Sequence, residues 1–302
     1  MRKKGKKKID KLLTLLIIVL FVPVFIVSIG RRVQLEELLY GTAQAAAGED
    51  ETTQQIIGIV AKEISPSANV EAILAQCVIA RTNLCDARAR GLAEPEGLDR
   101  KEMQNLWGDH FQEYYDRLAE CVRQTEDEVL LWEGDYIYAA YHAVSAGSTR
   151  GMEELYPDAD IPYLQAKPCE EDAVAEKYLT VSYWEMDEFL RLCSEHFPES
   201  AAADLSDIVI ETRDTAGYVT AVKIGETGCD GEQFRAAFGL PSACFALAEV
   251  DGRMRIVTKG LGHGFGLSQN TAEIMAENGS GYREILAYFF PGTEISRDLQ
   301  EK

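Results

Sequence analysis

Glu63 follows the helical repeat Ile56, Ile57, Val60 and stands just ahead of Ser65-Pro66. Proline disfavours helical geometry in the residue before it, so Glu63 is predicted to lie in a last helical turn. There the negative end of the helix macrodipole and apolar neighbours favour a protonated carboxyl, which a general acid for glycosidic cleavage requires. The alternative is a solvated surface acid, since the chain holds 50 Asp and Glu. Arg81 falls among the apolar positions of the next helix, where a guanidinium needs an acidic partner or a ligand oxygen; an ordinary salt bridge is the structural alternative. His142 and His263 each flank small-residue loops, and two histidines without a nearby Cys or carboxylate make a poor metal site. Ser145 has no Gly-x-Ser-x-Gly around it, which disfavours a serine hydrolase. Gly260-Leu-Gly-His-Gly-Phe-Gly-Leu-Ser-Gln269 places glycine at every second position. Such a run lets backbone approach a ligand or another chain segment closely, or makes a tight bend packed under a helix. It has neither the Lys-Ser/Thr of a P-loop nor the spacing of a dinucleotide fingerprint.

The elements that would position these residues can be read from the same chain. Its 302 residues, 46 % hydrophobic, suffice for a sizeable core. Leu12 to Ile29 carries no charge, and seven Lys and Arg precede it. That reads as one transmembrane helix with residues 1–11 as a cytoplasmic basic tail, favoured over a cleaved signal peptide because the small residues Ala43 to Ala47 lie far downstream. Residues 30–50 read as a stalk and residues 51–302 as the exported region. The first 32 residues hold nine basic and one acidic side chain, so the remainder carries 21 basic against 49 acidic, net −28. Nucleic-acid binding is therefore disfavoured, and a polymer substrate would be held by shape and hydrogen bonds. The seven cysteines include no C-x-x-C, and Cys77 and Cys85 read as core residues.

Within the exported part, Asn69 can cap a helix whose stripe is Val70, Ile73, Leu74, Cys77, Val78, Arg81, Leu84 and Cys85. A third helix is predicted over 100–123, with Met103, Leu106, Trp107, Phe111, Tyr114 and Leu118 inward. A hairpin follows around Glu133-Gly134-Asp135, then a helix over 182–196 and strands over 208–212 and 219–224. A short helix is expected over 231–239, a hairpin over 245–258 and one closing helix over 271–290. Helices first and mixed strands later give an α+β fold without tandem repeats.

These residues also carry a resemblance. Lys62-Glu63-Ile64 followed by Glu71-Ala-Ile-Leu-Ala-Gln-Cys-Val-Ile-Ala-Arg-Thr82 resembles the opening motif of the stage II sporulation protein D family, a Glu-Met followed by "EALKAQAVAARTY". Tyr141 to Thr149 is similar to its "yh-x-x-S-x-G-x-T" loop, and Ile161-Pro-Tyr-Leu164 to its "PYL" segment. Gly231 to Ser242 is similar to "G-x-x-F-R … L-G-L-x-S", and the glycine run through Pro291-Gly-Thr293 to "GHGVGMSQ…YYPGT". The resemblance implies a membrane-anchored lytic transglycosylase that cuts peptide-stripped peptidoglycan strands during engulfment, with Glu63 as catalytic acid and base. It also implies stage II sporulation proteins P, an amidase, and M, a membrane protein, as partners. Arg81, His142, Ser145, His263, Ser268 and Gln269 are then expected to shape the cleft and bind substrate. No metal or other cofactor is expected. The rival expectations are a non-catalytic wall-binding scaffold that stimulates an amidase and, more distantly, a metal-dependent hydrolase using His142 and His263. Asn270-Thr271 stands where the family usually has Tyr-Gly, and Ile64-Ser65-Pro66 where it tends to Met-Pro.

Overall fold

The computed structural model describes residues 50–200 and 204–297. The chain divides after Thr52, and the architecture below belongs, but for the first two residues of its first helix, to the unit Thr53–Lys302. The expected tail, membrane span and nearly all of the stalk lie outside the described residues. Among the described residues no helix is long and apolar enough to cross a membrane.

Helix α1 (Glu51–Glu63) ends at the predicted acid. Helix α2 (Val70–Arg90) starts where Asn69 Oδ1 accepts from Glu71 N at 3.0 Å and stops at left-handed Gly91. The sequence suggests a single apolar stripe, but α2 is buried nearly all round from Ala72 to Thr82, with only Val70 of the expected stripe well exposed. It is the central helix, packed on two sides. On one side its partners are Ile57 and Val60 of α1, together with Tyr115, Leu118 and Val122. On the other they are Leu130, Leu267, Ala272, Ile285, Leu286 and Phe289.

The expected helix over 100–123 is two helices, α3 (Arg100–Trp107) and α4 (Phe111–Gln124). Gly108, at φ 52°, breaks them, and a short 3₁₀ turn bridges the gap. The break turns Leu106 outward, 64 % exposed, and puts Tyr115 rather than Tyr114 in the core. Strands β1 (Val129–Trp132) and β2 (Asp135–Tyr136) form a hairpin about the expected turn, with Glu133 and Gly134 both at positive φ, but its second strand stops at Tyr136 where the sequence suggests a run from Tyr136 to Ala143. Strand β3 (Tyr141–His142) and the single-turn helix α5 (Met152–Leu155) follow.

Strand β4 (Leu179–Glu185) and helix α6 (Met186–His196) replace the helix expected over 182–196. Strands β5 (Ile208–Arg213), β6 (Val219–Ile224) and β7 (Thr227–Cys229) form an antiparallel meander. Helix α7 (Gly231–Phe238) lies over β6 and precedes the hairpin of β8 (Phe245–Val250) and β9 (Arg253–Lys259), to which β4 adds a third antiparallel strand. Phe189, Phe234, Phe238 and Phe245 fill the core here with ring centroids 4.6–4.9 Å apart.

Strand β10 (Leu267–Ser268) pairs in parallel with β3 and leads into α8 (Gln269–Glu277). The expected closing helix breaks at Gly279, at φ 93°, before α9 (Tyr282–Phe289). Strand β11 (Glu294–Ser296) then returns to pair with β1. Helices and several small sheets together make the expected α+β fold.

Candidate functional site

A cleft of about 400 Å³ opens between the end of α1 and the C-terminal half of α2. Glu63 is in its wall, half-buried. Asn83, Asp86 and Ala87 enter from α2 at i, i+3 and i+4, one face of the helix. Leu92, Ala93 and Pro95 come from the loop that follows, which crosses α1 so closely that a Cβ on Gly58 would stand 2.5 Å from Leu98 O. Tyr138, Tyr141 and His263 complete the lining.

Three links fix Glu63. The last carbonyls of a helix have no partner within it, and that of Glu63 accepts from Gln269 Nε2 at 3.0 Å. The same Nε2 reaches Gln76 Oε1 at 3.2 Å. Glu273, also on α8, accepts Asn69 N on both carboxylate oxygens at 2.8 and 2.9 Å. Helix α8 thereby holds the end of one helix and the start of the next. The third is Tyr141, which stands near Glu63 in the same wall; burial first, and then the Glu63 charge, push its titration up.

The glycine run does not open to a ligand. Its four glycines from Gly260 to Gly266 all have positive φ. A Cβ on Gly262 would stand 2.6 Å from His142 Cβ, and one on Gly266 2.0 Å from Ala140 O. The run is glycine because it presses against strand β3 and its flanks, the packed-bend alternative, while only the side chain of His263 reaches the cleft. His263 Nδ1 accepts from Phe265 N at 3.0 Å, leaving its ring proton on Nε2. His142, behind it at 5.9 Å between ring centroids, donates from Nδ1 to Phe265 O at 3.0 Å, and its Nε2 is buried without a partner.

Burial, with His263 second, pushes the His142 imidazole down to about 4. The folded protein then refuses a proton that the unfolded chain takes near pH 6.5. Stability is full above that pH and falls as pH drops toward 4, by about 2–3 kcal/mol at pH 4.5. Urea unfolding at pH 7 and pH 4.5 is expected to show a flatter acid limb for His142→Gln than for the parent. Parallel limbs would reject the assignment.

Of the six residues expected to bind substrate only His263 lines this cleft, and Arg81, Ser145 and Ser268 are taken up by the fold. Arg81 is buried, and its guanidinium donates to the carbonyls of Val122, Thr125 and Glu128 at 3.0, 2.6 and 3.2 Å. It finishes the C-terminus of α4, where orphan carbonyls and the dipole both favour a cation. Ser145 is fully buried, its Oγ accepting from Gly147 N. Ser268 caps α8. Among the described residues no group of three or more His, Cys, Asp or Glu could hold a metal ion, and the cysteines are free thiols.

Two residues that organise the site escape sequence reasoning. Asp172 is fully buried and accepts four hydrogen bonds, from Ser145 N (2.7 Å), Ser268 Oγ (2.7 Å), Asn270 Nδ2 (2.9 Å) and Thr271 Oγ1 (2.8 Å). Asn270 and Thr271 are among the positions that depart from the resembled pattern, and that departure was the available signal. Arg150 is buried between the Tyr218 and Phe265 rings, 4.8 and 4.7 Å from their centroids. It bonds Asp214 and Glu232 at 2.6 and 2.9 Å and His263 O at 3.2 Å, which steadies the glycine run.

The comparisons bear on the segment that carries this carboxyl. Residues 40–132, which include Glu63 and both α1 and α2, match the family SpoIID, described as Stage II sporulation protein. Over those residues the chain is similar to the SpoIID family. It is 27 % identical over 274 residues to the stage II sporulation protein D of Bacillus subtilis (strain 168), covering 85 % of this chain and 78 % of that protein. The protein of the same name from Bacillus amyloliquefaciens is 26 % identical over 281 residues, with the same coverage. An amidase enhancer of Bacillus subtilis (strain 168) is 25 % identical over 289 residues, 79 % of this chain but 40 % of the enhancer.

Proposed function

We propose that the chain is a lytic transglycosylase that cleaves the bond between N-acetylmuramic acid and N-acetylglucosamine in peptide-stripped glycan strands. The observation that carries this reading is Glu63 itself, at a helix end in the wall of the cleft with Tyr141 nearby. Glu63 gives its proton to the glycosidic oxygen as the bond to the muramyl C1 breaks. The carboxylate so formed takes the proton of the muramyl C6 hydroxyl, whose oxygen closes on C1 to give an anhydro ring, and the acid is restored. Tyr138, 52 % exposed at the cleft, offers a ring face to a sugar. Residues 12–29 would anchor the protein with its catalytic region outside the membrane, and stage II sporulation proteins P and M would be its partners in engulfment.

Digestion of denuded strands followed by mass measurement of the ends tests the reading. Anhydro ends are expected; ends heavier by one water would replace it with a hydrolase. The similarity to an amidase enhancer favours a second reading, glycan binding without cleavage that stimulates an amidase. Under that reading Glu63→Gln leaves function unchanged.

A further inference from the structure

One face of the sheet formed by β4, β9 and β8 differs in charge from the rest of the chain. On β4, Leu179, Val181 and Tyr183 stand outward, 55, 46 and 51 % exposed. The register sets Leu179 beside Lys259, Val181 beside Val257, Tyr183 beside Arg255 and Glu185 beside Arg253, and directly paired residues share a face. Met254 and Ile256, which alternate with them on β9, are buried on the other side. The outward rows of these two strands therefore carry three cations and one acid, in a chain with 30 Lys and Arg against 50 Asp and Glu. The cations are also idle. Every other arginine of the described residues except Arg100 donates to an oxygen of the protein. Arg255 donates to nothing, its covered Nε included, and Arg253 has only the Tyr183 ring, 5.2 Å away at the centroid. Lys259 bonds through its backbone alone. Guanidinium groups without acceptors, set around a half-exposed apolar row, are half of an interface whose other half is anionic.

We propose that this face rests on an anionic lipid bilayer. The cations bracket the apolar row from Arg253 to Lys259, about 20 Å of strand at roughly 3.3 Å per residue. Lipid phosphates diffuse sideways to meet each cation, while Leu179, Val181 and Tyr183 enter the boundary between headgroups and acyl chains. A folded acidic protein would need its carboxylates already set at that spacing. The net negative charge of the chain does not oppose the contact, because at physiological ionic strength charges more than about 8 Å from the face are screened. The contact is independent of the glycan reading, and the anchor proposed for residues 12–29 would only raise the local concentration of lipid.

The test uses the full chain with Tyr183→Trp, which keeps a ring beside Arg253, reconstituted with vesicles whose acyl chains carry bromine as a quencher. The parent supplies the background of its three tryptophans. Quenching in excess of the parent is expected in vesicles containing phosphatidylglycerol at low salt, and not in phosphatidylcholine alone. Adding Arg253→Gln and Arg255→Gln should lower the docked-to-undocked ratio about thirtyfold, whereas lysine at both positions should keep most of it. Melting curves of each variant report on the fold. No excess quenching with phosphatidylglycerol overturns the proposal. Excess quenching that is equal in neutral vesicles, or that survives the paired glutamines, also overturns it by tracing the signal to mere nearness of the bilayer. A change in emission at position 183 with soluble polyglutamate, and none with phosphatidylglycerol vesicles, overturns the lipid and assigns the face to an acidic protein.

Discussion

Glu63→Gln is expected to lower the release of anhydro ends by about a thousandfold while leaving glycan affinity within a few-fold. The substitution keeps the size and hydrogen-bonding capacity of the side chain and removes only its transferable proton. The anchor of residue 63 is its backbone carbonyl, held by Gln269, so the end of α1 stays in place. The other ionisable groups of the cleft serve poorly as the acid. Asp86 is ion-paired with Arg90, and Tyr141 holds its proton too firmly because burial raises its titration. Quantifying reducing and anhydro ends, with binding measured in parallel, separates chemistry from recognition. Full activity in the variant would remove Glu63 from the mechanism.

Asp172→Ala is expected to cost about 3–4 kcal/mol of folding free energy, read as a lower urea midpoint at unchanged slope. The loss is large because four donors converge on one carboxylate with no cation beside it, and alanine orphans all of them at once. Three of those donors, Ser268, Asn270 and Thr271, lie in β10 and the first turn of α8, beside Gln269. The variant should therefore also loosen the hold of Gln269 on Glu63 and lower activity in the molecules that remain folded. Asp172→Asn keeps one acceptor oxygen and is expected to lose about half as much. Stability within 1 kcal/mol of the parent for Asp172→Ala, or about that, would show the network to be dispensable.

What the sequence disclosed was local. Asn69, Pro66 and the apolar repeats bound α1 and α2 because caps and periodicity act over a few residues, and Glu63 fell at its helix end by the same logic. Misread elements share a cause: a strong neighbouring repeat overrode a nearby breaker. Gly108 and Gly279 each interrupt what reads as one long amphipathic helix. The alternation Thr180-Val181-Ser182-Tyr183 is a strand signal, but Met186–His196 is so periodic that its helix extends backward over it. Arg81 illustrates a different limit. Its burial was legible, but its acceptors are backbone carbonyls more than 40 positions away, which no side-chain pattern reveals. Asp172 and Asp86 were two acids among 50, distinguished only by what the fold brings to them.

The parallel pairing of β3 with β10 has a consequence in time. A chain that emerges from its N-terminus exposes Glu63 and Asp86 early, while His263, Gln269 and Glu273 arrive nearly last. Until they do, the end of α1 lacks its clamp, β3 has no partner strand, and the cleft lacks a wall. A chain clipped ahead of Leu267 would lack the strand and the glutamine that hold the end of α1.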